Sequence, residues 1–365
     1  MPPSLPSITP ALFAHCRPGF ETDCASELMV AAAENGFTVA PAAERTDGYV
    51  ALTLDSPQAA TKVIEQIDFL KLAFTRQWFI AVAEIGDLPR DDRVEPLMEA
   101  FRTLGQPVHE LFVETLDTDA ARPLLRLCRS IEGHLRNRAQ KEGLLAAKAT
   151  PWRFHVCFTA TDRAFVGLSP IANSHPCPMG IPRLRFPKDA PSRSALKLEE
   201  ALTTLLPPYE RNRWLKAGMT AVDLGAAPGG WTWVLVQNGL KVTAVDNGAL
   251  AAQVAESPRV THLHADGLRY RPPKPVDWLV CDIIEKPQLI ADVVLRWARQ
   301  GWCKNAVVNL KLPMKTRYPI LAKLLPPLVQ CCEIDHWAVK QLYHDRDEVT
   351  CFLRFERRSE PRKPH

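Results

Sequence analysis

Short apolar runs and amphipathic stretches alternate along the whole chain, but the alternation changes character near residue 170. Before that point strands are predicted at 11–16, 37–40 and 49–54, with helices at 21–34 and 57–67. Further strands are predicted at 77–83, 111–115, 153–159 and 164–168, with helices at 95–103 and within 121–153. This mixture predicts two compact α+β modules, one over 1–75 and one over 76–169. Six prolines then stand between Pro170 and Pro191. They exclude a helix or a central strand and predict an ordered, extended connector over 170–191. Beyond it strands and helices alternate singly through Val329, which implies a parallel sheet within 192–356. The last two strands, 334–340 and 349–356, have no helix between them and predict a closing antiparallel hairpin. The remainder, 357–365, is a basic tail expected to fray.

The pattern is interrupted most sharply at Val222-Asp223-Leu224-Gly225-Ala226-Ala227-Pro228-Gly229-Gly230-Trp231. An apolar strand ends in an acid, a tight glycine-rich turn follows, and a helix begins. Glycine accepts positive φ and brings no side chain, so such a turn lets backbone approach a ligand closely. Asp246 ends the next apolar strand, 23 residues after Asp223. An acid at about that distance is where a nucleoside-binding βαβ unit holds a ribose hydroxyl. A dinucleotide fingerprint is not met, because Ala227 takes the second glycine position and Pro228 removes an N–H that a pyrophosphate would use. No Gly-Lys-Ser/Thr follows, so a P-loop is excluded too.

The turn resembles the first motif of S-adenosylmethionine-dependent methyltransferases, above all the enzymes that methylate RNA ribose at the 2′-oxygen. Three other segments extend the likeness. Ser192-Arg193-Ser194-Ala195-Leu196-Lys197-Leu198 resembles the signature on the helix before the first strand. Trp278-Leu279-Val280-Cys281-Asp282 and Ala306-Val307-Val308-Asn309-Leu310-Lys311 are buried-type strands ending in chemistry, and Glu348 follows in Asp347-Glu348-Val349-Thr350. Lys197, Asp282, Lys311 and Glu348 match the Lys-Asp-Lys-Glu tetrad of those enzymes in order and context. Asn309-Leu310-Lys311-Leu312-Pro313-Met314-Lys315 and Gln341 to Thr350 are similar to the ribosomal RNA large subunit methyltransferase M family, over about 180–356.

That resemblance implies an α/β fold: a Rossmann-like methyltransferase domain preceded by a ferredoxin-like module and a THUMP-like RNA-binding module. It implies S-adenosylmethionine as cofactor and a cytidine ribose of 23S rRNA, naked or in an early precursor particle, as substrate. Lys311 is then the proton acceptor. Asp246 is expected to hold the cofactor ribose and Asp266 the adenine amino group. Ser194, Ala227, Pro228, Gly229, Gly230 and Asp282 are expected to line the rest of the cofactor site. An ordinary lysine is charged at neutral pH, so acting as base asks for a shift of roughly 3 units. Lys197 and burial favour that shift, and Asp282 and Glu348 oppose it.

Composition adds one further element. The net charge is only +4, but 121–153 holds eight basic and two acidic residues, so everything else sums to −2. At about 100° per residue, Arg122, Arg126, Arg129 and Arg136 share one helical stripe opposite Leu124, Cys128, Ile131 and Leu135. Such a stripe is either a solvated face or an RNA contact, and Arg126, Arg129 and Arg136 are the RNA candidates. Ten cysteines without a C-x-x-C pair point to a reducing cytoplasm rather than to zinc or disulfides. The start of the chain lacks a signal-peptide pattern, and no run of about 18 apolar residues is present. No metal and no membrane are expected, and a monomer is. Two other readings stay open: a non-catalytic RNA-binding protein with a degenerate methyltransferase domain, and a base methylase using Cys177 or Cys281.

Overall fold

The computed structural model describes residues 11–41, 47–54, 57–146 and 150–355. The tail 357–365, the opening residues 1–10 and Lys148 of the basic segment lie outside the described residues. The chain forms two compact units, 1–182 and 183–365.

The first unit is one sheet of β1 (Ala11–His15), β2 (Val39–Pro41), β3 (Tyr49–Leu54), β4 (Gln77–Ile85), β5 (Glu110–Thr115), β6 (Trp152–Ala160) and β7 (Arg163–Pro170). Their order is β2-β3-β1-β4-β7-β6-β5. All neighbours are antiparallel except β5 and β6. The helices are α1 (Glu21–Glu34), α2 (Pro57–Gln66), α3 (Val94–Thr103) and α4 (Leu124–Lys141). The two expected modules therefore share a sheet. Phe13 of β1 lies opposite Phe79 of β4, with ring centroids 4.6 Å apart. Pairing these apolar strands leaves neither as an open edge.

The expected connector is not uniform. Its first part, through Pro182, is tied into the first unit. Trp78 Nε1 donates to the Asn173 carbonyl at 2.6 Å, and Arg153 Nη1 to the His175 carbonyl at 2.9 Å. The Met179 N–H donates to the buried Glu114 carboxylate. No α-helix forms here, but central strand β7 runs to Pro170 and short 3-10 turns stand at Ile171–Asn173 and Pro178–Gly180, and the backbone between them finds buried partners.

In the second unit α5 (Ala195–Thr204) and α6 (Pro208–Trp214) precede β8 (Thr220–Leu224), α7 (Gly230–Gln237), β9 (Lys241–Val245), α8 (Ala252–Ala255) and β10 (Val260–Leu263). Then come β11 (Val276–Cys281), α9 (Pro287–Arg299), β12 (Cys303–Lys311), α10 (Arg317–Gln330), β13 (Ile334–Lys340) and β14 (Glu348–Phe355). The sheet order is β10-β9-β8-β11-β12-β14-β13. It is parallel through β12, and β14 inserts antiparallel between β12 and β13. The closing hairpin is thus present. Strand order reverses between β8 and β11, so the crevice at their C-terminal ends is where such a sheet binds ligands.

Candidate active site

Four charged side chains meet at that crevice. Asp282 follows β11, and Lys311 ends β12. The β12–β14 register sets Lys311 directly opposite Glu348, and Lys197 reaches in from the first turn of α5. Lys197 Nζ pairs with Glu348 Oε1 and lies 3.6 Å from Asp282 Oδ2. Lys311 Nζ pairs with Asp282 Oδ1 and lies 3.4 Å from Glu348 Oε2. The four form a closed square in which each lysine nitrogen touches both carboxylates. Each side chain is about a fifth exposed or less. Burial draws the Lys197 pKa down, but Asp282 and Glu348 outweigh it and hold the group above the ordinary lysine value. Lys197 therefore stays an ammonium at neutral pH.

Behind the square lies a support that the sequence did not announce. Asn309 Nδ2 donates to Asp282 Oδ1 at 2.9 Å. Thr350 Oγ1 lies 2.5 Å from Asn309 Oδ1 and 2.9 Å from Asp345 Oδ2. Burial, reinforced by the Glu348 carboxylate, pushes the Asp345 carboxyl well above its usual range. A protonated Asp345 can donate to Thr350, which then donates to Asn309, which turns its amide toward Asp282. Period-two spacing carries the signal: Asn309 precedes Lys311 by two on β12, and Thr350 follows Glu348 by two on β14. Thr350→Val should break this chain. It is expected to cost about 1–3 kcal/mol of stability, read from denaturant unfolding, by leaving Asn309 and Asp345 underbonded.

The glycine turn is packed against the same site. Gly225 has φ +76°, and a Cβ there would lie 2.5 Å from Ile283 Cγ1, next to Asp282. At Gly230 a Cβ would lie 2.2 Å from Ser194 Oγ and 2.5 Å from Ser192 Oγ, so only glycine lets the starts of α5 and α7 approach this closely. Trp231 Nε1 locks the junction by donating to the Ser194 carbonyl at 3.0 Å. Asp246 accepts from the Ala227 N–H at 2.9 Å and the Gly248 N–H at 2.7 Å, one on each carboxylate oxygen. A carboxylate has about four acceptor positions, so two remain for ligand hydroxyls.

Asp266 sits in a turn whose Leu268 N–H it accepts at 2.9 Å, and Gly267 beside it approaches Gly225 and Ile283. Ser194, Ala227, Gly230, Asp246 and Asp282 are thus brought to one end of the sheet, with Asp266 at its margin. Asp223 points into the interior instead. It accepts from Thr232 Oγ1 at 2.6 Å, and burial pushes its carboxyl up to about 7.

The basic stripe is mixed. Leu124, Cys128, Ile131 and Leu135 of α4 are buried. Arg126 and Arg129 are exposed and make no ion pair among the described residues. Arg136, expected beside them, is committed to the protein: it donates to Glu132 at 2.9 Å and to the Leu111 carbonyl at 3.2 Å. Cys281 is buried, with its thiol pushed to about 12 by burial, so it supplies no thiolate. Among the described residues no group of three His, Cys, Asp or Glu is arranged to hold a metal ion. No described helix is long and apolar enough to cross a membrane.

Comparison with known proteins matches three family models to successive stretches. These are described as the RlmM ferredoxin-like domain over 9–79, ribosomal RNA large subunit methyltransferase M, N-terminal, over 92–170, and FtsJ-like methyltransferase over 190–310. The second of these descriptions does not mention a THUMP module. A protein named ribosomal RNA large subunit methyltransferase M from Cellvibrio japonicus (strain Ueda107) is 44% identical, covering 94% of this chain and 99% of its own. Proteins of that name from Xanthomonas axonopodis pv. citri (strain 306) and Shewanella loihica (strain ATCC BAA-1088 / PV-4) are each 45% identical. The alignments cover 93% and 94% of this chain, and 97% and 96% of theirs.

Proposed function

Because the chain belongs to the ribosomal RNA large subunit methyltransferase M family, we propose that its charged square methylates a ribose 2′-hydroxyl of 23S rRNA. The family makes it an S-adenosylmethionine-dependent rRNA methyltransferase. Its target as a cytidine, the residue roles, the substrate as naked or precursor rRNA, the monomeric state and action in the cytoplasm are our reading. The observation that carries the reading is the closed Lys197–Glu348–Lys311–Asp282 square beside the glycine turn.

The residues present suit the cofactor. Asp246 keeps acceptor capacity for a ribose, and the turn held open by Gly225 and Gly230 gives backbone access. When bound, the cofactor supplies an electrophilic methyl group on a sulfonium. Lys311, through the lone pair of its amine, would take the proton from the ribose hydroxyl as that oxygen gained the methyl, the sulfur leaving as a neutral thioether. Asp282 and Glu348 fix the Lys311 amine, and Lys197 keeps those two carboxylates partnered throughout. Lys197 is the cation of the square and Lys311 its base. The intact square speaks against a degenerate, non-catalytic domain, and the inert Cys281 against a base methylase.

We assign RNA contact to 76–169, as a THUMP-like module would have it, through Arg126 and Arg129. Replacing both with Gln should reduce the slope of log affinity against log salt by about 0.7–0.9 for each lost phosphate contact. An unchanged slope in a filter-binding titration means a solvated face. The function itself is tested by mapping 2′-O-methyl groups on 23S rRNA from cells without the gene. One site should vanish there and return with the gene, and a complete map refutes the reading.

A further inference from the structure

We infer that Tyr343 is the platform on which the base of the target nucleotide stacks, an inference that rests on the ribose-methylating reading above. Tyr343 lies in the turn between β13 and β14, five residues before Glu348. That turn is unusually well anchored. The buried Glu200 accepts from the Tyr343 N–H at 2.8 Å and the His344 N–H at 3.0 Å, and it bonds His344 Nδ1 at 2.6 Å. Asp345 Oδ2 accepts from the Leu342 N–H at 3.0 Å, and Gln341 Nε2 donates to the Arg346 carbonyl at 3.2 Å. The Leu312 N–H donates to the Asp347 carbonyl at 2.7 Å, joining the turn to the loop that follows Lys311.

Out of this rigid backbone Tyr343 leaves 40% of itself in solvent, and Arg346 on the same turn is exposed. The neighbouring loops repeat the pairing of an apolar side chain with a cation. Met314 is 69% exposed next to exposed Lys315, and Ile284 is 88% exposed near exposed Lys286. The His344 ring packs at right angles to the Tyr343 ring, centroids 5.2 Å apart, and an exposed aromatic side chain beside cations is how proteins hold unpaired nucleic acid.

Scale favours the target nucleotide over a distant one. Glu200, which holds the Tyr343 backbone, is three residues from Lys197 on α5, and residues at that spacing are neighbours on a helix. In a nucleotide the base hangs from the carbon adjacent to the one bearing the 2′-oxygen. We place that base on the Tyr343 side, where the Leu312–Asp347 hydrogen bond ties the turn to the strand end that carries Lys311. Stacking uses a π-face that every base has, so the platform positions the nucleotide without choosing its identity.

The test is single-turnover methylation of 23S rRNA transcript by wild type, Tyr343→Phe, Tyr343→Leu and Tyr343→Ala, titrated in RNA. Phe should behave like wild type. Leu and Ala should raise the RNA concentration for half-maximal rate about 10- to 100-fold, with S-adenosylmethionine affinity by calorimetry unchanged. Leu matching Phe, or Phe failing as Leu does, overturns the platform, and so does an Ala variant with the wild-type titration. Should Ala fail to fold, the Phe and Leu pair still decides. If wild type places no methyl on ribose, the functional reading itself has failed, which is a different result.

Discussion

Lys311→Ala should abolish methyl transfer while leaving cofactor binding nearly intact. Lys311 ends β12 opposite Glu348 and touches both carboxylates of the square, so its loss removes the base and the alignment it enforces. Loss of a positioned base costs about 10²–10⁴ in rate. Lys311→Arg should fail as well, since a guanidinium keeps its proton and its planar fork does not reproduce a compact amine. Lys197 offers the contrast. Its carboxylate partners already hold it charged, so Lys197→Arg should retain far more activity than Lys311→Arg. Single-turnover assays on all three variants, with thermal unfolding as a control, check this. Equal losses for the two arginine variants would mean that both lysines serve as cations and that the base lies elsewhere.

Asp246→Ala should weaken S-adenosylmethionine binding by about 100-fold without moving the methylated position. The carboxylate does two jobs. It fixes the glycine turn through the Ala227 and Gly248 N–H groups, and it keeps acceptors free for ribose hydroxyls. Charge-assisted hydrogen bonds are each worth about 1.5–3 kcal/mol, so losing one or two accounts for that factor. Asp246→Asn should fall between, because an amide retains one acceptor oxygen. Calorimetry with the cofactor reads the effect. Wild-type affinity in the Ala variant would remove Asp246 from the site.

Much of the candidate site was legible in the sequence because it lies at strand ends. Asp282 and Lys311 each terminate an apolar run, and period-two alternation puts Cys281 on the face away from Asp282. The glycine turn was legible for the same reason, since backbone conformation leaves a mark on local composition. What escaped is what depends on register between distant strands. Asn309 meets Thr350 only because β14 returns antiparallel beside β12, and Glu200 meets the Tyr343 turn only because α5 packs at that edge. Period two puts Asn309 and Thr350 on the faces of Lys311 and Glu348, but the register that joins them, like the Glu200 contact, has no local signature.

The basic stripe shows the same limit from the other side. Helical periodicity correctly placed the buried face of α4, but it could not tell that Glu132 and the Leu111 carbonyl already occupy Arg136. Likewise, the pairing of β1 with β4, which runs one sheet through both N-terminal modules, joins segments more than sixty residues apart and leaves no local mark.

The most direct measurement is the position of the methyl group itself. Wild-type protein, 23S rRNA transcript and methyl-labelled S-adenosylmethionine are incubated together, and the RNA is digested to nucleosides. All label is expected in one 2′-O-methylated nucleoside, and in a parallel undigested sample the linkage on its 3′ side should resist alkali because the neighbouring hydroxyl is blocked. Label on a base, or no label from a protein that binds both cofactor and RNA, would contradict the account.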